Sequence, residues 1–510
     1  MTYQRINLVV RRHGRENNFR SVLETIRGLL DGAGSIGRVL PPWLHTLLLG
    51  YGDPHSASYK SDTIKAYAAK TVGVNKPTDY LDFGDTFLDE THLRESFDEK
   101  VTINSSEVSA DHDEDDPKTR VNYKIRTAQQ AAADDKGALL EAKAVPVPAH
   151  SYGNSVRFTP VQVEAIRSGL SPGLTLVVGP PGSGKTDVLV QIIASLYRSF
   201  PHQRTIIITH SNAALNDIFQ KVMARGDIEE RYLIRLGAGE RDLKTDSSHD
   251  FTKIGRVAYS IERRRTLLEE VQLLSESLGF SGRAERGADG SPAYTCETAE
   301  YFLQHQVQRR IFAFEKQLKD DSDNDDVTSF FPFLKYFNAE KVTLADARRY
   351  LKRLDEIFSE LREYRPFELL RSQRQRGDYL IMKQARIVAM TCTHAAIVRS
   401  QLIDLGFEYD NVVMEEAGQM MEIESFIPLL LQRGESDDSV SGQSRLKRVC
   451  MIGDHSQLPP VIKNMTFARF SNLDQSLFYR LIRLGVPYIQ LDMQGRSRED
   501  LARLYRYVSF

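Results

Sequence analysis

The sequence predicts an α/β fold built on a parallel sheet, and three observations predict it. From Ser155 onward, short apolar runs alternate with amphipathic stretches, the pattern of strands joined by helices. A glycine-rich segment, GPPGSGKT from Gly179 to Thr186, joins one such run to the next amphipathic stretch. Each apolar run is followed by a cluster of polar residues, as expected where ligands lie beyond the carboxyl ends of parallel strands.

The predicted strands are LTLVV (174–178), TIIIT (205–209), RIVAM (386–390), NVVM (411–414) and RVCMI (448–452). Between about Glu240 and Leu380 the chain is charged, with helical runs such as IERRRTLLEEVQLL. A simple connection is never so long, so this stretch reads as a helical subdomain inserted into the fold. The acidic DDSDNDD from Asp320 to Asp326 reads as a surface loop within it.

The segment before Ser151 reads as an accessory region. Phe19, Val22, Leu23, Ile26, Leu29 and Leu30 fall on one helical face, and Asp31-Gly32 ends that helix. Residues 1–76 form a helical part and 77–150 a β-rich part with a linker. In the latter, YLDFGDTFL, KVTI and VNYKI between Tyr80 and Arg126 read as strands, broken by the acidic run Asp111 to Asp116. Ala128 to Ser151 reads as linker. The α/β domain with its insertion takes 151–510.

With 510 residues, 41% of them apolar, the chain can build more than one core. A formal net charge of −2 counts against a histone-like polyanion binder, but not against an enzyme whose basic groove is offset elsewhere. Cys296, Cys392 and Cys450 are too far apart for a zinc pattern or a disulfide framework, and read as small buried residues in a reducing compartment. The run Phe426 to Leu431 is far too short to span a membrane, and MTYQRINLVVRR lacks the apolar core of a signal peptide. The expected location is intracellular.

GPPGSGKT carries the most specific chemistry. It matches G-x-x-x-x-G-K-[ST] after a strand and at the start of a helix, the setting of a P-loop. Gly179, Pro180, Gly182, Ser183 and Gly184 would bring backbone amides to the phosphates of a nucleotide. Lys185 would meet the β- and γ-phosphates, and Thr186 would hold Mg²⁺. These residues predict a P-loop NTPase that uses Mg-ATP.

Three weaker clusters gain meaning beside it. In VVMEEAGQ, Glu415 would stand near Mg²⁺ through water and Glu416 would orient the attacking water. Alone, that cluster reads equally as an exposed acidic turn. In GDHSQLPP, Gln457 would report on the γ-phosphate and Asp454 would link the loop to the metal; alone, it is a polar turn closed by Pro459-Pro460. In FTPVQVEAI, the amide of Gln162 suits an adenine edge, with Phe158 packing nearby; alone, it is a helix start.

GPPGSGKT, EEAGQ, GDHSQLPP and LDMQGRSR occur in the order and approximate spacing of superfamily-one helicases of the nonsense-mediated-decay type, and the chain resembles that family. THSNAALND (209–217) and MTCTHAA (390–396) look like its RNA-contacting loops. ENNFRSVLETIR, LLLGYGDP, AYTCETAEYF, FFPFLKYF, FIPLLLQ and QLPPVIKNM are similar to the intron-binding spliceosomal branch, over about Asn7 to Leu504. The resemblance implies a RecA-like domain, with residues before Ser151 supplying part of an accessory β-barrel and stalk. It implies an ATP-dependent RNA helicase of pre-mRNA splicing, located in the nucleus, with single-stranded intron RNA and spliceosomal proteins as partners. It also implies that Ser211, Asn212 and Thr391 touch the RNA backbone, and that Arg496 contacts the γ-phosphate.

Two residues depart from the family pattern. Glu415 stands where an Asp is usual, one methylene longer, although the spliceosomal branch resembles this form. Gly495 replaces the aromatic residue common between Gln494 and Arg496, which removes a stacking contact. No second sheet is encoded before Phe510, so the expectation is half an engine, unable to unwind RNA alone. The alternative is a nucleotide-binding scaffold module of a ribonucleoprotein. A DNA helicase is disfavoured by the stretches outside the motifs.

Overall fold

Strands buried on both faces are built mainly of apolar residues, and the five runs predicted after Ser155 are of that kind. In the computed structural model each matches, to within one residue at either end, a β-strand in which every residue is buried. The described residues are 19–31, 39–71, 80–82, 86–96, 101–108, 120–127, 140–143, 154–237, 250–280, 294–320, 326–433, 445–462, 466 and 470–501. By contacts the chain divides into two compact units.

The first unit comprises 1–108, 120–244 and 385–510. Its opening elements are α1 (Phe19–Asp31), α2 (Pro42–Leu48), α3 (Asp62–Thr71), β1 (Tyr80–Asp82), α4 (Glu90–Glu95), β2 (Val101–Val108), β3 (Arg120–Thr127) and β4 (Leu140–Lys143). Next come α5 (Pro160–Leu170), β5 (Gly173–Val178), α6 (Lys185–Ser199), β6 (Thr205–Thr209), α7 (Asn212–Arg225) and β7 (Leu233–Arg235). After residue 385 follow β8 (Ile387–Thr391), α8 (Cys392–Leu405), β9 (Asn411–Glu415), α9 (Glu422–Phe426), β10 (Arg448–Gly453), α10 (Leu477–Arg483) and β11 (Ile489–Gln490).

Seven of these strands form one sheet in the order β11-β5-β10-β9-β6-β8-β7. Every pairing in it is parallel. Register runs Thr209↔Glu415 between β6 and β9, Thr209↔Thr391 between β6 and β8, and Gly453↔Val178 between β10 and β5. The carboxyl ends therefore line up along one edge. The helices bury apolar faces against the sheet, as Val188, Leu189, Ile192 and Ile193 of α6 do. This is the parallel α/β architecture that the strand pattern predicts, and it is consistent with the RecA-like domain that the resemblance implies.

Several local expectations are corrected. β7 and β11 were not predicted, because three and two residues are too short to show a period. A second, four-stranded sheet has the order β1-β4-β3-β2. Its β4 lies inside the expected linker: it pairs parallel with β1 and antiparallel with β3, so hydrogen bonding on both sides, not composition, makes LEAK a strand. The rest of that linker and the run Asp111 to Asp116 lie outside the described residues. Leu23 of α1 is 52% exposed, and among the described side chains of that helix Val22 and Thr25 are buried. The three cysteines are buried and unbridged. Among the described residues no helix is long and apolar enough to cross a membrane.

The second unit comprises 109–119 and 245–384. Its described part is mainly helical, led by Lys253–Ser277 and Leu344–Leu369. Thr252 and Thr343 cap those helices through their hydroxyls. Arg263 meets Glu360 with two parallel bonds of 2.9 Å, and Arg353 meets Glu270 at 3.1 Å, tying one long helix to the other. Phe337 stacks on Tyr350 at 4.1 Å in an aromatic cluster with Phe331 and Phe333. Asp321 to Asp325, the centre of the expected acidic loop, lie outside the described residues.

Candidate functional site

The P-loop connects β5 to α6 and closes over a cavity of about 760 Å³. Sites for small molecules span about 300–1,000 Å³. Gly182 and Gly184 adopt φ of +81° and +78°, where a side chain is strained. There is also no room for one: a Cβ at Gly184 would meet Gln162 Nε2 at 2.6 Å, and one at Gly182 would meet Arg496 Cβ at 2.7 Å. Ser183 is buried, and its hydroxyl donates to the Pro180 carbonyl at 2.9 Å. Gly179 N donates to the Gly453 carbonyl at 3.0 Å, fastening the loop to β10.

Lys185 is the first residue of α6. Its Nζ donates to the Gly179 carbonyl at 2.6 Å and to Pro180 at 3.1 Å. Burial holds its pKa below the ordinary value, although Asp454 and Glu415 pull the other way. A partly desolvated cation at a helix start suits a polyanion that can replace those carbonyls. The Thr186 hydroxyl donates to Glu415 Oε1 at 2.6 Å.

Glu415 ends β9 and is 5% exposed. Burial pushes its carboxyl up to about 7, against the bond from Thr186 and with the negative neighbours Glu416 and Asp217. Glu416 has φ +56°, a left-handed conformation that costs a non-glycine residue energy. Both carboxylates line the cavity. The turn that follows packs against the loop after β10, and two glycines permit this. A Cβ on Gly418 would meet the Asp454 carbonyl at 2.7 Å, and one on Gly453 would meet Gly418 N at 2.9 Å.

Asp454 and Gln457 line the same cavity. Asp454 is buried, and both its carboxylate oxygens accept bonds from its own loop: Oδ1 from Ser456 N at 2.9 Å, Oδ2 from Gln457 Nε2 at 2.8 Å. Gln162 also lines it, but its amide is engaged on both sides. Oε1 accepts from Thr159 N at 2.9 Å in a capping box, and Nε2 donates to the Ser183 carbonyl at 2.9 Å. One N–H and one oxygen lone pair of the amide remain beyond those two bonds. Arg496 sits across the P-loop from Lys185, where Gly495 N donates to the Gly182 carbonyl at 3.0 Å. Gln494 holds this turn by accepting from Arg496 N and Ser497 N, both at 2.9 Å.

The candidate RNA residues lie farther along the same edge. Ser211 caps α7, accepting from Ala214 N at 3.2 Å, and Thr391 caps α8, accepting from His394 N at 3.3 Å. Asn212 is exposed on the first residue of α7, while Thr391 is 9% exposed. The β6–β8 pairing makes these two caps neighbours, and β9 and β10 separate them from the P-loop strand β5.

Three residues escaped sequence reasoning. Lys221 of α7 lines the cavity and pairs with Asp187 at 2.9 Å. Asp217, one turn earlier, bears electrostatically on Glu415. Arg235 of β7 bonds Asn212. The i, i+4 spacing of Asp217 and Lys221 was the only sequence signal, and it is common on solvated helices.

The AAA domain family matches residues 158–465. "RNA helicase aquarius" of Mus musculus is 44% identical over 99% of this chain and 34% of its own length. "Pre-mRNA-splicing factor cwf11" of Schizosaccharomyces pombe is 25% identical over 91% of the chain and 32% of its own length. "Regulator of nonsense transcripts 1 homolog" of Arabidopsis thaliana is 26% identical over 67% of the chain and 19% of its own length. The chain thus spans about a third of the length of the first two relatives.

Proposed function

Because the chain belongs to the AAA domain family, among the superfamily-one helicases of the nonsense-mediated-decay type, we propose that it is the first ATPase lobe of an ATP-dependent RNA helicase acting on intron RNA in the spliceosome. The family uses a nucleotide and a divalent metal; for this chain we assign ATP and Mg²⁺. The observation that carries the reading is the Thr186–Glu415 pair beside Lys185 and Glu416 in one cavity.

The residues suit both groups. A hydroxyl and a carboxylate oxygen are hard donors of the kind Mg²⁺ takes, and Thr186 and Glu415 would hold it. Mg²⁺ would neutralise charge on the β- and γ-phosphates. Gly179, Pro180, Gly182, Ser183 and Gly184 shape the cradle, and Lys185 exchanges its loop carbonyls for phosphate oxygens. Glu416, turned by its left-handed backbone, orients the attacking water. Gln457 and Arg496 face the γ-phosphate, and Gln162 holds the loop in register beside the base.

RNA lies along the β6–β8 side, touching Ser211, Asn212 and Thr391 through phosphate and sugar. One relative's name is that of an RNA helicase and another's that of a pre-mRNA-splicing factor, which supports RNA and splicing; single-stranded intron RNA, spliceosomal proteins and a nuclear location are our assignment for this chain. Residues 1–76 and 77–150 serve as accessory stalk and barrel, and 151–510 as the RecA-like domain with its insertion at about 240–380.

The test is a titration of labelled ATP and of labelled single-stranded RNA against the chain and its Lys185→Ala variant. Loss of ATP binding in the variant with RNA binding retained supports the reading. Equal ATP affinity in both overturns it.

A further inference from the structure

The short edge strand β7 ends in a cation sealed from water. Arg235 is 0% exposed. Its Nε donates to Asn216 Oδ1 at 3.0 Å, and its Nη2 donates to Asn212 Oδ1 at 3.1 Å. Asn216 is buried, whereas Asn212 stands exposed at the start of α7. The same strand end also reaches α8. A Cβ on Gly237 would meet His394 Cγ at 3.3 Å. Burial, and then the Arg235 charge, hold the His394 imidazole below its ordinary pKa. One strand end therefore touches the first turns of both helices whose caps are the candidate RNA residues.

The chemistry of the Arg235–Asn212 bond has a direction. A guanidinium only donates, so the asparagine must turn its carbonyl oxygen inward. Its Nδ2 amine is then left to the surface. An exposed asparagine without such a bond presents either end of its amide and samples several rotamers. The bond to a buried, rigid fork removes that freedom and leaves a donor facing outward. Donors are what phosphate and ribose oxygens accept.

We propose that Arg235 is a positioning residue for RNA binding, orienting the Asn212 amide so that its Nδ2 faces the phosphate or ribose of the bound strand. The proposal rests on the reading of Asn212 as an RNA contact. It adds what that reading lacks: a reason why an asparagine stands there, and a residue outside the contact surface that controls it.

The test is a fluorescence-anisotropy titration of a labelled oligouridylate against Asn212→Ala, Asn212→Asp, Arg235→Gln and the Arg235→Gln/Asn212→Ala double variant. Labelled-ATP affinity and the thermal midpoint are measured beside it. Asn212→Ala should weaken RNA binding about tenfold, the value of one hydrogen bond to a charged group. Asn212→Asp should weaken it further, because it offers a carboxylate to the strand. Arg235→Gln should match Asn212→Ala, the double variant should be no worse than Asn212→Ala alone, and ATP affinity should hold throughout. A general structural role would lower ATP affinity as well and give additive losses, which overturns the proposal. Loss in Asn212→Ala with wild-type RNA affinity in Arg235→Gln overturns this proposal alone. Wild-type affinity in Asn212→Ala overturns the RNA-contact reading and this proposal with it. Should Arg235→Gln fail to fold, Arg235→Lys carries the same comparison: it keeps the buried charge but loses the fork that spans both asparagines.

Discussion

The Thr186 hydroxyl and Glu415 Oε1 lie 2.6 Å apart across 229 residues of sequence. That bond joins the first turn of the P-loop helix to the end of β9, two elements brought together by the order β5-β10-β9 in the sheet. It also separates the two acids. Glu415 is tied to the loop and nearly sealed, while Glu416 is less buried and stands on a left-handed residue.

The two acids should therefore fail differently. Glu416→Gln should leave ATP binding intact and slow hydrolysis about 10²–10⁴-fold, the usual worth of a positioned base. Glu415→Gln should raise the Mg²⁺ concentration needed for half-maximal hydrolysis, by about 10–100-fold if it acts through a bound water. Steady-state hydrolysis over a Mg²⁺ series in the full-length protein separates them, and identical profiles would refute the division of roles.

Gln162 grips the P-loop through Ser183 and caps α5 through Thr159. Gln162→Ala should cost about 1 kcal/mol of stability through the lost capping box and should also weaken ATP binding. Gln162→Glu keeps the acceptor for Thr159 N but places a carboxylate beside the phosphates, so ATP binding should suffer more. Thermal melting and ATP titration check both. If the amide served adenine alone, ATP preference over GTP would vanish with the melting midpoint unmoved.

Ser211 is at once a helix cap and a candidate RNA contact. Ser211→Ala should lower stability by about 1 kcal/mol, whereas Ser211→Asp should keep the cap and leave the melting midpoint unchanged. Both should bind RNA more weakly, and the aspartate more so, by repelling phosphate. Affinity should also fall log-linearly with salt. Salt-insensitive binding to one preferred sequence would contradict contacts made mainly to the backbone.

Glu164 of α5 receives Lys60 Nζ at 2.8 Å and the Tyr59 hydroxyl. Burial acts to raise its pKa, but the bonds from Lys60 and Tyr59 outweigh it and hold the carboxyl below its ordinary value. A depressed folded-state pKa stabilises above the unfolded pKa, and the contribution fades as pH falls through the folded one. Glu164→Gln should therefore cost about 1 kcal/mol near neutrality. The gap between variant and parent should close as the pH drops below the ordinary carboxylate range. Denaturant melts across a pH series measure it, and a gap that widens in acid would show the sign to be wrong.

What the sequence determined by itself is what local chemistry dictates. A strand buried on both faces is mainly apolar along its length, so β5, β6, β8, β9 and β10 were legible to within a residue or two at their ends. A phosphate cradle needs glycines, a lysine and a hydroxyl within eight residues, so GPPGSGKT was legible too. Tertiary structure alone decided which residues meet. Strands as short as β7 and β11 exist only because a neighbouring edge supplies their hydrogen bonds. The pairing of β11 with β5 sets Arg496 against Gly182. The partners of Gln162, the rise of the Glu415 pKa and the inward bond from Arg235 to Asn212 all arise from groups distant in sequence. Desolvation and hydrogen-bond partnership belong to the packed neighbourhood of an atom, and no window of sequence contains that neighbourhood.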